Sequence, residues 1–292
     1  MAVPLIKLPE NDVLGNAAAH FFKSGNVLRS NNQGVDNLVD LIPTSGPNQT
    51  RVEYDLWYSI DDGNNVHGYV YTDAMTDFLY LRVARAHYAN QIMKEASYHP
   101  ITPEGERLFE HMASGSSDKY KLKPSASSHD FVVFLPGTNI YNDVVDVDKV
   151  KRAVAQGAYV KPHPITAPAL LQRMRETYGE DRVLDVRASG HELLNSAAIV
   201  GCCMNSEMGV AAVAKGKTLY LFDKPGPHRT YTSIYKSLAD GSRYSSDKLR
   251  SILSAPYSGL VSSSSKNPED RIKAFFDHYK DLEHVSPKNP NT

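Results

Sequence analysis

The chain has 292 residues, 41% of them hydrophobic and 22% charged, with a formal net charge of −1. That length suits two domains of ordinary size, and the composition is that of a soluble globular protein. The charge balance excludes a strongly basic nucleic-acid binder, and no apolar run approaches the roughly 20 residues that cross a bilayer.

Met1 to Glu10 lacks the charged and apolar blocks of a signal peptide. Ala17 to Phe22 reads as the start of a helix. Arg51 to Ile60 is β-like, Asp61 to Asn65 is a turn, and His67 to Thr72 continues as a second strand, the pattern of a hairpin. Thr76 to Glu95, with Phe78, Leu79, Leu81, Ala84, Ala86 and Ile92, reads as a helix. Ala113 to Ser128 is rich in Ser and Lys and reads as an inter-domain linker. The expected division is 1–125, 126–265 and 266–292. Residues 1–125 carry a net charge of −4 and residues 126–292 one of +3.

After the linker the pattern alternates. Strands are expected at Asp130–Leu135, Tyr159–Lys161, Val183–Val186, Ile199–Cys202 and Leu219–Phe222. Helices are expected at 147–155, from a Thr166 N-cap through Pro168 to Tyr178, at 191–196 and at 207–215. Such alternation predicts a parallel sheet with helices on both faces, an α/β fold. Cys202 and Cys203 are adjacent, so on a strand they point to opposite faces and do not bridge. Unpaired thiols fit a reducing cytosol, which makes cytoplasm the expected compartment. A last helix starts at Asn267-Pro268 with Ile272, Phe275, Phe276, Tyr279 and Leu282 on one face. The tail from Ser286 is expected to fray.

Strand ends in open α/β sheets are where ligands bind, and here they gather polar residues. Lys161-Pro162-His163-Pro164 holds an imidazole between two prolines that restrict it. His163 reads as a donor to a phosphate oxygen, or as a turn residue capping a carbonyl. Lys161 reads as the neutralising cation, or as a solvated strand-end lysine. Asn205-Ser206-Glu207 opens a small-residue helix. Ser206 suits the N-cap, the first amides suit a phosphate or base edge, and Glu207 suits ribose hydroxyls. Thr138, after Gly137, is a candidate for the distal phosphate, and Arg187 for the base or diphosphate. A capped helix and ordinary loops account for these residues equally simply. No GxxxxGK[ST] or GxGxxG element is present. In Pro225 to Ser246, Arg229, Tyr231 and Arg243 belong to a basic and aromatic stretch that reads as a DNA-holding loop, a substrate lid or plain surface.

As a set these residues resemble glycosyltransferases of the GT-B architecture. The Lys-Pro-His-Pro turn is similar to the His-Pro motif of capsule, sialic-acid and polyol-phosphate transferases. Asn205 through Lys217 is similar to their donor-binding element of Ser, Ala and Gly-Lys. The match covers about residues 130–225. It implies two Rossmann-like domains, a C-terminal helix crossing back to the N-terminal domain, and a UDP- or CMP-linked nucleotide sugar as co-substrate. It implies no metal for the diphosphate and no further cofactor. Asp73, Asp77 and His20 are the candidate general bases. A compact chain without a basic amphipathic membrane segment further resembles phage enzymes that glycosylate hydroxymethylated pyrimidine in double-stranded DNA, acting in the host cytoplasm. A glycan- or capsule-type transferase, a nucleotide-sugar 2-epimerase and a non-catalytic nucleotide-binding module are the alternatives.

Overall fold

A computed structural model of the chain describes residues 5–7, 57–61, 66–75, 78–83, 86–115, 128–138, 140–224, 231–262 and 264–285. In chain order β1 is Leu5–Lys7, β2 Trp57–Asp61, β3 Val66–Met75, β4 Phe78–Val83, α1 Ala86–Ala96 and α2 Pro103–Ser114. There follow β5 Phe131–Phe134, α3 Tyr141–Val144, α4 Val147–Ala155, β6 Tyr159–Lys161, α5 Pro168–Tyr178, α6 Gly190–Ser196, β7 Ile199–Cys202, α7 Glu207–Ala214 and β8 Thr218–Leu221. The series closes with α8 Thr232–Leu238, β9 Ala239–Asp240, β10 Arg243–Tyr244, α9 Ser246–Ser254, β11 Leu260–Ser262 and α10 Pro268–Val285. The fold is mixed α/β and contains a parallel sheet. Two compact units are formed, one from residues 1–109 with 250–292, the other from 110–249.

The first unit holds a sheet in the order β1-β2-β3-β4-β11. Every pairing in it is antiparallel. The hairpin expected around Asp61–Asn65 is present as β2 and β3, with Trp57 opposite Tyr71 and a register shift at Ile60/Asp61. A Rossmann-like sheet is parallel, so the expectation of two such domains does not hold for this unit among the described residues. Nor is 76–95 one helix: Phe78–Val83 is strand β4, buried on both faces. Burial on both faces erases the alternation that would have marked it as a strand. β11 enters the sheet through Gly259 at φ +81, where a side chain would collide with the Leu81 carbonyl. The apolar face of α10, with Ile272, Phe275, Phe276 and Tyr279 buried, closes this core. Tyr279 meets Tyr88 of α1 edge to face at 5.6 Å. Arg271 is buried here and donates to the carbonyls of Leu253, Ala255 and Leu260. Burial pulls its pKa down to about 10.

The second unit holds the parallel sheet, in the order β6-β5-β7-β8. The expected strand at Val183–Val186 shrinks to a single parallel bridge from Val183 to Val160 on the outer side of β6. Its short apolar alternation is real, but only Leu184 N–H adds a bond, to Val160 O at 2.8 Å, before the chain turns. With that bridge the spatial order is 3-2-1-4-5 in sequence terms, the order of a nucleotide-binding doubly wound sheet. Val133, Leu135 and Val160 face α4 and α5 in one buried cluster that includes Cys203. α6 and α7 pack on the other face, over β5, β7 and β8. Cys202 meets α7 and α8, so the cysteine pair faces opposite cores, and neither is in a disulfide.

The expected linker at Ala113–Ser128 begins inside α2, which runs to Ser114, and residues 116–127 lie outside the described residues. The border between units falls near Glu110 and again within α9, while β11 pairs with β4 in the first unit. Residues 225–230 are also outside the described set. The rest of the stretch read as a loop to Ser246 is α8 and the β9–β10 hairpin, which turns at Gly241.

Candidate functional site

In the 110–249 unit the chain leaves β5 toward β6 on one side and returns to β7 on the other. The carboxyl ends of β5 and β7 therefore flank the switch point where open α/β sheets bind ligands. Four of the sequence-expected residues, Thr138, His163, Asn205 and Ser206, lie on the loops that follow β5, β6 and β7.

After β5, Pro136 and Gly137 are buried and Thr138 is exposed. Gly137 O accepts from the N–H groups of Ile140 and Tyr141, which starts α3. The Thr138 hydroxyl accepts from Ala167 N–H at 2.7 Å, so it joins the β5 and β6 exits.

After β6, Lys161 is only 3% exposed. Its ammonium donates to Pro162 O at 2.6 Å and Val186 O at 3.0 Å. The solvated strand-end reading is thus corrected: two carbonyls hold this cation, which ties the β6 exit to the segment after Val183. His163 is half-buried. Its Nδ1 accepts from Ile165 N–H at 3.3 Å, so the proton of the neutral ring resides on Nε2, a donor. His163 O accepts from Thr166 N–H at 2.9 Å. Thr166 is not the N-cap of α5; Ala167 holds that place, with Pro168 at N1 and no side-chain cap bond. Proline at N1 sets the residue immediately before it as the cap, one later than the sequence suggested. The Thr166 hydroxyl is buried and has no hydrogen-bond partner among the described residues.

The β7–α7 loop is held from several sides. Met204 N–H donates to both carboxylate oxygens of Asp223, at 3.1 and 3.0 Å. Met204 O accepts from Tyr231 N–H at 2.8 Å, and Ser206 N–H donates to Cys203 O at 3.0 Å. Ser206 is the N-cap of α7 as expected, its hydroxyl accepting from Met208 N–H at 3.2 Å. The Tyr235 hydroxyl donates to Ser206 O at 2.6 Å. It lies 3.6 Å from Cys202 Sγ. Burial raises the Tyr235 pKa and pushes the Cys202 thiol up to about 12, so both stay protonated. Gly209 leaves room for that phenol, because a Cβ there would collide with its oxygen and with the Cys202 sulfur. Asn205 Oδ1 is buried without a hydrogen-bond partner among the described residues. Glu207, the first residue of α7, is half-buried.

α6 brings a second chain end to the same edge: a Cβ on Gly190 would contact Met208 of α7 and Phe134 of β5. Arg187, just before it, is exposed, and its N–H donates to Asp185 at 2.9 Å. Lys215 and Lys217, the Gly-Lys end of the resemblance, do not join this edge. They sit past the far end of α7 and donate to Ala113 O and Asn195 O.

Tyr231 is buried, as is Tyr235, and Tyr244 is half-buried. The Tyr231 and Tyr235 side chains are core and offer no base-stacking surface; Arg243 is exposed. Arg229, Asp77 and His20 lie outside the described residues. Asp73 is in β3, its backbone opposite Tyr80. Sequence reading missed Asp223 and Tyr235, the two side chains that brace the β7–α7 loop. The one signal for Tyr235 was a glycine inside a helix, which often marks close approach by a neighbour.

No family model matches the chain, and no curated protein matches it in sequence. Similar solved structures include two of KpsC from Thermosulfurimonas dismutans. One, a beta Kdo 2,7 transferase, is 16% identical over 73% of this chain and 73% of its own, with a TM-score of 0.39. The other, a beta Kdo 2,4 transferase, is 16% identical over 61% of this chain and 65% of its own, also with a TM-score of 0.39.

Proposed function

We propose that the protein is a glycosyltransferase whose 110–249 unit holds the phosphate of a UDP- or CMP-linked sugar at the carboxyl edge of its parallel sheet. The observation that carries this reading is that His163, a donor at Nε2, and the Ser206-capped start of α7 lie at one carboxyl edge, on the loops after β6 and β7 to either side of β5. As the sugar leaves, negative charge grows on the phosphate oxygens. Fixed donors stabilise that charge without reorganising. Helix amides add the positive end of the α7 dipole. Lys161, Asp223 and Tyr235 hold the geometry from behind. The acceptor supplies a hydroxyl, and Asp73, Asp77 and His20 are its candidate bases. Buried Tyr231 and Tyr235 remove the stacking surface that favoured DNA, so the proposed acceptor is a glycan hydroxyl.

The test is incubation with a panel of nucleotide sugars plus oligosaccharides, ordinary duplex or hydroxymethylcytosine duplex, followed by mass spectrometry. Release of nucleotide with a glycosylated oligosaccharide is the expected result. Transfer to the modified duplex alone would restore the DNA acceptor. An isomerised sugar without transfer would identify an epimerase, and no turnover of a bound nucleotide sugar a binding module.

A further inference from the structure

Two buried polar atoms at this edge have no hydrogen-bond partner among the described residues, and one of them, Asn205 Oδ1, is an acceptor that phosphate oxygens do not satisfy. Thr166 is 9% exposed and its hydroxyl has no hydrogen-bond partner among the described residues. Asn205 is half-buried, and its Oδ1 atom is likewise buried without a partner among the described residues. Buried polar atoms are nearly always bonded, and leaving one unmet costs stability, so such atoms call for an explanation. Each sits beside a group of the donor site. Thr166 N–H bonds His163 O in the same turn, and Asn205 immediately precedes the Ser206 cap. An amide oxygen only accepts, and ionised phosphate oxygens also only accept. The partner of Asn205 Oδ1 is therefore an O–H or N–H. The Thr166 hydroxyl bonds either kind of group.

We infer that Thr166 and Asn205 form a subsite for the uncharged, hydroxyl-bearing part of the ligand, ribose or sugar, next to its phosphate. This rests on the nucleotide-sugar reading above. It assigns Thr166 a binding role in place of the helix cap expected from sequence. It also gives Asn205 a task distinct from phosphate contact.

The experiment is calorimetric titration of the full chain with inorganic pyrophosphate and, separately, with UDP, CMP, GDP and ADP. Wild type is expected to bind at least one nucleotide about tenfold more tightly than pyrophosphate, a gap of about 1.4 kcal/mol. Thr166→Val, nearly isosteric, should lower that nucleotide's affinity about tenfold and leave pyrophosphate binding within about twofold. Its Tm should not fall, because the removed hydroxyl bonds none of the described residues. Thr166→Ser should retain nucleotide affinity, and Asn205→Ala should repeat the selective loss. Unchanged nucleotide affinity in both Thr166→Val and Asn205→Ala would overturn the inference alone. So would an equal loss of pyrophosphate binding, or a lowered Tm in Thr166→Val. Wild type that binds neither pyrophosphate nor any nucleotide would overturn the donor-site reading together with it.

Discussion

The two edges of the parallel sheet in the 110–249 unit differ in how their polar groups are used. At the amino edge, Lys217 donates to Asn195 O and Lys215 to Ala113 O. There Tyr159 is covered by Arg182, 5.0 Å above its ring, and by His129 at 3.9 Å. At the carboxyl edge stand an imidazole with its proton on Nε2, a capped helix start, and two buried polar atoms without a hydrogen-bond partner among the described residues. The cations of the amino edge are committed to carbonyls and a ring, and at the carboxyl edge Lys161 is likewise held by two carbonyls. What sets the carboxyl edge apart is its capped helix start and its two buried polar atoms without a partner among the described residues, and charge counts along the sequence do not report such features.

The strongest way to break this contrast is His163→Ala. Turnover should fall about 10²–10³-fold, the usual cost of one lost transition-state donor. A folded His163→Ala protein with normal turnover, by circular dichroism and initial rates, would leave the carboxyl edge as inert as the other. Next in size is Gly209→Ala. The new methyl has no space beside Tyr235 and Cys202, and overpacking of this kind costs about 1–3 kcal/mol. Denaturant unfolding measures the loss. Nucleotide affinity should fall with it, because the displaced phenol is the one that holds Ser206 O.

A third prediction concerns pH. The Cys202 thiol ionises at 9.0 when unperturbed and near 12 in the fold because it is buried. Between those values the folded state keeps a proton that the unfolded chain has released. Stability from this group is thus whole below about pH 9 and declines as pH rises toward 12. Guanidinium midpoints across that range should fall, and should fall less in Cys202→Ala. The smallest effect belongs to Lys217→Ala at the amino edge. Its exposed bond to Asn195 O should be worth no more than about 0.5 kcal/mol, with turnover unchanged. A large loss of activity there would erase the distinction between the edges.

The parallel unit was legible because each buried strand is a short apolar run stopped by Gly, Pro or Asn. The helix 147–155 and the strand 159–161 fall where sequence put them. β4 was not legible: FLYLRV is apolar at nearly every position, and without alternation a helix fits the string as well. In the site, His163 and Ser206 announced themselves through local chemistry, a proline-flanked ring and a cap. Asp223 and Tyr235 act on the loop from 19 and 29 residues downstream. No local pattern encodes such a contact. The aromatic and basic stretch misled for a related reason, since Tyr231 and Tyr235 share composition with a stacking surface yet are spent on the interior.

The division of the chain has a consequence for its synthesis. Residues 110–249 form one uninterrupted unit, whereas the other unit needs 1–109 and 250–292 together. As the polypeptide emerges from the ribosome, β4 waits for β11, its antiparallel partner 180 to 184 residues later in register. At about 5–20 residues per second that wait lasts roughly 10–35 s. The middle unit is complete before the outer one can close, so maturation runs from the centre of the chain outward. Brief exposure of Phe78, Leu79 and Tyr80 on the nascent chain makes this interval the time when a chaperone has most to cover.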